Sequence, residues 1–227
     1  MNQMRVAVAG AGGRGRYLAR AFDQHPHTRL VALSDPAGSA LGLAREEFSE
    51  DVELFTSQQE MLDSVDCEIG VVASWDPAHR ENAVAFLERD KHVFLEKPMA
   101  QTIQDCDDIL RAWKASTSTL MVGLELRYCT LCQEMRRLLD AGEIGDVKLG
   151  MAVDNVSVGG QYYYHNNRRR KDFIRSLMLE KGTHTLDLMN WFIGSEPVRA
   201  FGEGGLDVFG GDAPDDKRCR DCDEKDT

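Results

Sequence analysis

The first 35 residues restrict the possible folds more than any other stretch of this chain. Val6-Ala7-Val8-Ala9 runs directly into Gly10-Ala11-Gly12-Gly13-Arg14-Gly15, and a helical pattern follows with Leu18, Ala21 and Phe22 at core-facing spacing. A second apolar run, Leu30-Val31-Ala32-Leu33-Ser34, ends on an acid, Asp35, 20 residues after Gly15. Glycines at G-x-G-x-x-G spacing say little alone. Between a strand and a helix, with an acid at that distance, they form a dinucleotide fingerprint. Gly10 permits the tight turn, Gly12 lets backbone N–H groups approach a pyrophosphate, and Gly15 allows the helix to pack closely on the strand. Gly13 and Arg14 complete the loop, and the helix N-terminus adds partial positive charge facing the phosphates. A carboxylate at Asp35 accepts hydrogen bonds from the adenosine ribose hydroxyls and repels a 2′-phosphate. Pro36-Ala37-Gly38-Ser39 supplies no cation to reverse that preference, so the cofactor expected is NAD.

Strand and helix signals alternate from residue 5 to about residue 123, the pattern of a parallel sheet wound by crossover helices. The expected strands after the first two are 52–55, 69–73, 92–95 and 120–123, with helices near 58–64 and 79–89. A further helix carries Cys106, Ile109, Leu110 and Trp113 at i, i+3, i+4 and i+7. Ile69-Gly70-Val71-Val72-Ala73 is continuously apolar, as a strand buried on both faces should be. Beyond residue 124 the texture changes. A helix with Leu131, Met135, Leu138 and Leu139 on one face ends at Gly142, and alternating strands are expected over 147–158 and 198–209. A helix over 183–193 carries His184 and closes at Gly194. Two long strands make a marginal sheet, so this second region reads as unfinished. Residues 217–227 lack large apolar side chains and read as an exposed or disordered end. The fold class is α/β: a doubly wound Rossmann domain over 1–123, then a partial α+β substrate and oligomerisation domain over 124–227.

A formal net charge of −11 over 227 residues argues against a nucleic-acid partner, whose binding needs clustered Lys and Arg. No apolar run reaches transmembrane length and no signal peptide precedes the first strand, so a cytoplasmic protein without a membrane partner is expected. The six cysteines are expected as thiols. Cys129/Cys132 and Cys219/Cys222 form two C-x-x-C pairs, but they lie far apart and no metal is expected.

Several motifs then fall in one order along the chain: the glycine fingerprint, Asp76-Pro77-x-His79, Glu96-Lys97-Pro98, Glu125-x-Arg127-Tyr128, Gly142-Glu143-Ile144-Gly145 and Lys181-Gly182-Thr183-His184-x-x-Asp187. In these residues the chain resembles the Gfo/Idh/MocA family of NAD(P)-dependent oxidoreductases. The resemblance implies a cofactor site that also includes Trp75, Pro77, His79, Glu96 and Lys97, with a cis bond between Lys97 and Pro98. It makes Lys97 a substrate-binding and proton-relay group, and His184 the general base for a hydroxyl proton. Many relatives carry an aspartate four residues before that histidine. Here Glu180 stands there and joins the candidate catalytic set. The implied activity is hydride transfer between NAD and a hydroxyl of a sugar, inositol or related polyol, in a chain truncated within its second domain. Two other readings stay open: a glycosidase acting by transient oxidation and elimination, and a non-catalytic NAD-binding regulatory protein. A homo-oligomer is implied if the second domain is complete. Tyr162, Tyr163, Tyr164 and the Arg168-to-Lys171 run fit either a sugar site or a solvated basic face. Asp187 reads as an orienting or capping residue.

Overall fold

The computed structural model describes residues 3–155, 170, 172–205 and 220. Its centre is a six-stranded, wholly parallel sheet: β1 (Met4–Ala9), β2 (Thr28–Ser34), β3 (Glu53–Phe55), β4 (Ile69–Val72), β5 (His92–Glu96) and β6 (Leu120–Gly123). The strand order is β3-β2-β1-β4-β5-β6, so the direction of winding reverses between β1 and β4. A parallel sheet needs both faces covered, because each crossover lays a helix on one of them. On one face Val6, Val8, Leu30, Leu33 and Val71 pack under α1 (Gly13–Asp23) and α2 (Gly38–Glu47). On the other, Ala7, Ala9, Val72, Val93 and Leu95 meet α3 (Gln58–Ser64), α4 (His79–Leu87) and α5 (Ile103–Ala115), with Met61, Phe86 and Ile109 filling the gap. Alternate residues of β1 thus feed two cores.

Helix α2 is absent from the pattern read off the sequence. Gly38 and Gly42 lower helical propensity and dilute its apolar stripe, and only Ala44 of the helix is buried. Ser57 and Thr102 cap α3 and α5, each accepting a hydrogen bond from a backbone N–H three residues on. At the start of α1 the capping position is Gly12, which has no side chain to fill that role.

After β6 come a short turn at Glu125–Tyr128, α6 (Thr130–Asp140), a π turn at Met178–Gly182 and α7 (Thr183–Ile193), which ends at left-handed Gly194. The strands expected over 147–158 and 198–209 are not found among the described residues: 147–155 and 198–205 form no strand. The alternation is present, but a strand exists only where a neighbour accepts and donates its backbone hydrogen bonds, and no such neighbour is among the described residues. Residues 156–158, 206–209, the Gly159-Gly160 turn, the tyrosine run, Arg168, Arg169, Lys171, Cys219, Cys222 and the 217–219 and 221–227 portions of the expected tail lie outside the described residues. No helix of the described residues is long and apolar enough to cross a membrane.

Candidate active site

In an open parallel sheet the crevice lies beyond the carboxyl ends of the strands, where the winding reverses. Here Gly10 follows β1, Asp35 follows β2, Ser74 to Asp76 follow β4, and Lys97 follows β5. The glycine loop behaves as its spacing requires. Gly10 has φ +101°, and a Cβ there would lie 2.5 Å from Ser74 N. A Cβ on Gly15 would sit 1.7 Å from Gly10 O, so α1 lies against β1 only because that hydrogen is a hydrogen. A Cβ on Gly12 meets nothing within 4 Å and projects into open space. With an uncapped helix N-terminus behind it, that space suits a pyrophosphate. Asp35 is anchored by the N–H groups of Ala11, 2.9 Å from Oδ2, and Ala37, 2.8 Å from Oδ1.

Two cavities adjoin this loop. One, about 410 Å³, runs past Gly10, Asp35, Ala37, Gln58 and Asn82 and suits the adenosine end of a dinucleotide. The other, about 350 Å³, is lined by Gly12, Gly13, Arg14, Trp75, Asp76, His79, Glu96, Lys97 and Glu180. Asp35 lines both. The residues fit the cofactor that the fingerprint demands. Pro77 is exposed on the turn and lines neither cavity, and Gly15 faces Gly10 rather than the crevice.

Burial decides the chemistry of the second cavity. Glu96 is 5% exposed, and desolvation raises its pKa, opposed by Arg14, whose Nε donates to its carboxylate at 2.6 Å. His79 is fully enclosed. Its Nδ1 lies 2.7 Å from Pro98 O and its Nε2 3.1 Å from Ser74 O, so it sits between the loop after β4 and the turn after β5, and a neutral ring donates to one of the two oxygens. Burial lowers its pKa. The Lys97–Pro98 bond is cis, and Lys97 Nζ donates to the backbone oxygen of Glu180 at 2.8 Å and lies 3.5 Å from Glu180 Oε1. Glu180 sits in the π turn, 4% exposed, the kind of helical irregularity often found at functional sites.

His184 follows in the first turn of α7, 6% exposed. Its Nε2 lies 3.7 Å from Glu125 Oε1, and its buried Nδ1 has no hydrogen-bond partner among the described residues. Desolvation lowers its pKa, with Glu125 acting in the opposite direction, so the ring stands neutral at pH 7. Arg127 grips Asp187 through two bonds, at 2.5 and 2.8 Å, and lies over the Trp191 ring. The Glu125-x-Arg127 turn is thereby tied to α7. Lys181 reaches Asp154 at 3.6 Å, away from the cavity, and Arg170 pairs with Asp172.

Two participants were not expected from the sequence. Glu125 was read only as part of a motif, yet it faces both His184 and Arg14, the latter at 3.8 Å. Asp76 was read as a turn residue, yet it lines the same cavity as Glu180, and burial pushes its carboxyl up to about 7. Neither has a local signal beyond being an acid in a motif. Cys129 stands at the N-terminal cap of α6 and Cys132 is buried behind it, its thiol pushed up to about 11 by burial. Among the described residues no group of three or more His, Cys, Asp or Glu side chains is placed to hold a metal ion.

Comparison with known proteins bears on the same residues. A family model for the Gfo/Idh/MocA oxidoreductases with an NAD-binding Rossmann fold matches residues 4–124, and one for a Gfo/Idh/MocA C-terminal domain matches residues 132–217. The chain belongs to the Gfo/Idh/MocA family. Inositol 2-dehydrogenase 3 of Saccharopolyspora erythraea is 30% identical over 203 residues, covering 87% of this chain and 56% of that protein. Inositol 2-dehydrogenase of Burkholderia multivorans is 26% identical over 200 residues, again 87% of this chain and 56% of the relative. Both family members are therefore spanned over little more than half their length. Among solved structures, myo-inositol 2-dehydrogenase of Lactobacillus plantarum superposes with a TM-score of 0.75 at 22% identity, over 87% of this chain and 58% of that one. The likeness extends the shared Gfo/Idh/MocA fold across most of the chain.

Proposed function

We propose that this chain is an NAD-dependent oxidoreductase acting on a secondary hydroxyl of a polyol of the inositol or sugar class, with residues 1–123 holding the cofactor and residues 124–227 facing the substrate. The observation that carries the reading is the convergence of Lys97 and Glu180, 83 residues apart in sequence, beside the glycine loop, with His184 one helical turn beyond Glu180. The two inositol dehydrogenases of similar sequence support the substrate class.

Bound NAD supplies a hydride acceptor at its nicotinamide ring. The side chains do the rest. Gly12, Gly13 and the α1 N-terminus hold the phosphates, and Asp35 takes the adenosine ribose. An ammonium has three N–H donors. Lys97 spends one on Glu180 and has others to hold and polarise the reacting oxygen. Neutral His184 accepts the hydroxyl proton, and Glu125 lies where it stabilises the resulting imidazolium. Asp187 and Arg127 keep α7, and with it His184, in place.

The test is NADH formation over a panel of polyols led by myo-inositol, using wild type, Lys97→Ala and His184→Ala. Loss of turnover in both variants with NAD binding retained is expected. Full turnover in either removes that residue from the mechanism. Cleavage of aryl glycosides without net NADH would replace the reading with the transient-oxidation one.

A further inference from the structure

The cavity that suits adenosine has a built polar edge to which the reaction just described gives no task. Gln58 is the first residue of α3 and Asn82 stands in α4, 24 residues later, yet the two side chains are bound to each other's residue twice. Asn82 Nδ2 donates to Gln58 Oε1 at 2.5 Å, and Gln58 Nε2 donates to the backbone oxygen of Asn82 at 3.0 Å. Asn82 Oδ1 accepts from the hydroxyl of Ser74, in the loop after β4, at 2.7 Å. Both amides and Ser74 line the cavity of about 410 Å³, together with Ala37, Ala78 and Ala85. Small alanines beside a polar edge suit a flat heterocycle.

The α3 side of that slot is lightly held by packing. β3, which leads into α3, is a three-residue strand at the edge of the sheet, paired with β2. α3 itself has seven residues, of which Met61 is buried. With so few buried apolar contacts the first turn of the helix opens easily unless another bond ties it. Asn82 supplies that bond from α4, although asparagine is an indifferent residue inside a helix. Ser74 carries the tie onward. Its hydroxyl donates to Asn82, its carbonyl lies 3.1 Å from His79 Nε2, and its backbone nitrogen is so near Gly10 that a Cβ there would lie 2.5 Å away.

We propose that Gln58 and Asn82 are positioning residues for the adenosine half of NAD: their paired hydrogen bonds fix the gap between α3 and α4 at a width that admits a purine, and Ser74 ties that gap to the glycine loop. The wall is thereby set before the cofactor arrives, so less ordering opposes binding. This role rests on NAD as the cofactor and is independent of which hydroxyl is oxidised.

The experiment titrates the full chain with NAD and with ADP-ribose by calorimetry, comparing wild type with Gln58→Ala, Asn82→Ala and the double variant, and records Tm for each. Both single variants should raise Kd for both ligands by on the order of tenfold, because the wall must then be ordered as the ligand binds. The two residues act as one unit, so the double variant should bind no more weakly than the weaker single one. Ser74→Ala keeps the paired amides, removes their anchor, and should show a smaller rise. A role confined to helix packing would lower Tm and leave Kd within about twofold of wild type, and that result overturns the proposal. Losses that multiply in the double variant also overturn it, because they would make Gln58 and Asn82 separate contacts. Gln58→Ala puts a good helix former at a half-buried first helical position, so its Kd decides the matter even where Asn82→Ala unfolds. Wild type that binds neither ligand overturns the cofactor reading together with this role, whereas unchanged Kd in the variants overturns this role alone.

Discussion

Residues 4–123 and residues 124–205 follow the same local rules and reach different ends. In the first region all six strands find partners, and alternate residues of β1 are buried in separate cores. In the second, the alternating runs lie open: Leu149 and Met151 are 86% exposed, Val153 72% and Phe201 93%. A βα unit buries its strand with the helix that follows it a few residues later, so local sequence suffices to complete it. An antiparallel or mixed sheet is completed only by strands from elsewhere, and period-two alternation specifies a face without specifying what covers it. The helical parts of the second region are held instead by polar ties to the first, Lys97 to Glu180 above all.

The sharpest break between the regions lies at the glycine loop. Gly15→Ala should destabilise by roughly 3 kcal/mol or more, because its methyl would meet backbone that cannot retreat. Gly12→Ala, whose methyl enters open space, should keep the wild-type Tm and lose NAD binding. Thermal unfolding beside a cofactor fluorescence titration separates the two. Next in size, Leu95→Ala removes a fully buried side chain and should cost about 2–5 kcal/mol. Leu149→Ala should change stability by no more than about 0.5 kcal/mol. A cost for Leu149→Ala approaching that of Leu95→Ala in urea unfolding would mean that its run is paired, and the contrast drawn above would collapse.

A pH experiment sharpens the link between the regions. The native pKa of Asp76 lies above its unfolded value, so the native state binds the extra proton and stability declines as pH rises from about 4 to about 7. Asp76→Asn abolishes that decline. Its Tm advantage over wild type should be absent at the acid end and reach a few degrees above pH 7. A more modest loss is expected for Asp187→Ala, which severs Arg127 from α7 at a partly exposed site and should cost about 1 kcal/mol. Hydrogen exchange should quicken in α7 while β1 and β4 keep their protection.

Much of the Rossmann half was legible in the chain: strand positions, the turn at Gly10, the close packing at Gly15, and Asp35 at the end of β2. What escaped had weak or absent local signals. Helix α2 is masked by its own glycines. Gly70 looked like one more small residue in a buried strand, but a Cβ there would lie 2.3 Å from the Phe86 ring, and a glycine inside a strand is the usual mark of such a close approach. At the site, Lys97, Glu180 and His184 were named from motifs. Nothing in those motifs indicated that Glu125 faces His184, or that Asp76 and Glu180 line one cavity.

The chain alone carried whatever repeats with a local period or a fixed spacing, because backbone sterics and the burial of a neighbouring helix enforce those patterns within each unit. The tertiary structure decided which charges share a space: Glu125 with His184 and Arg127 with Asp187, pairs 59 and 60 residues apart, and Asp76 with Glu180 in the lining of one cavity. Electrostatic interactions act through distance and desolvation, and neither is written in sequence order. The glycines and Asp35 thus mark the crevice from sequence, while the protonation of the groups that face it belongs to the fold.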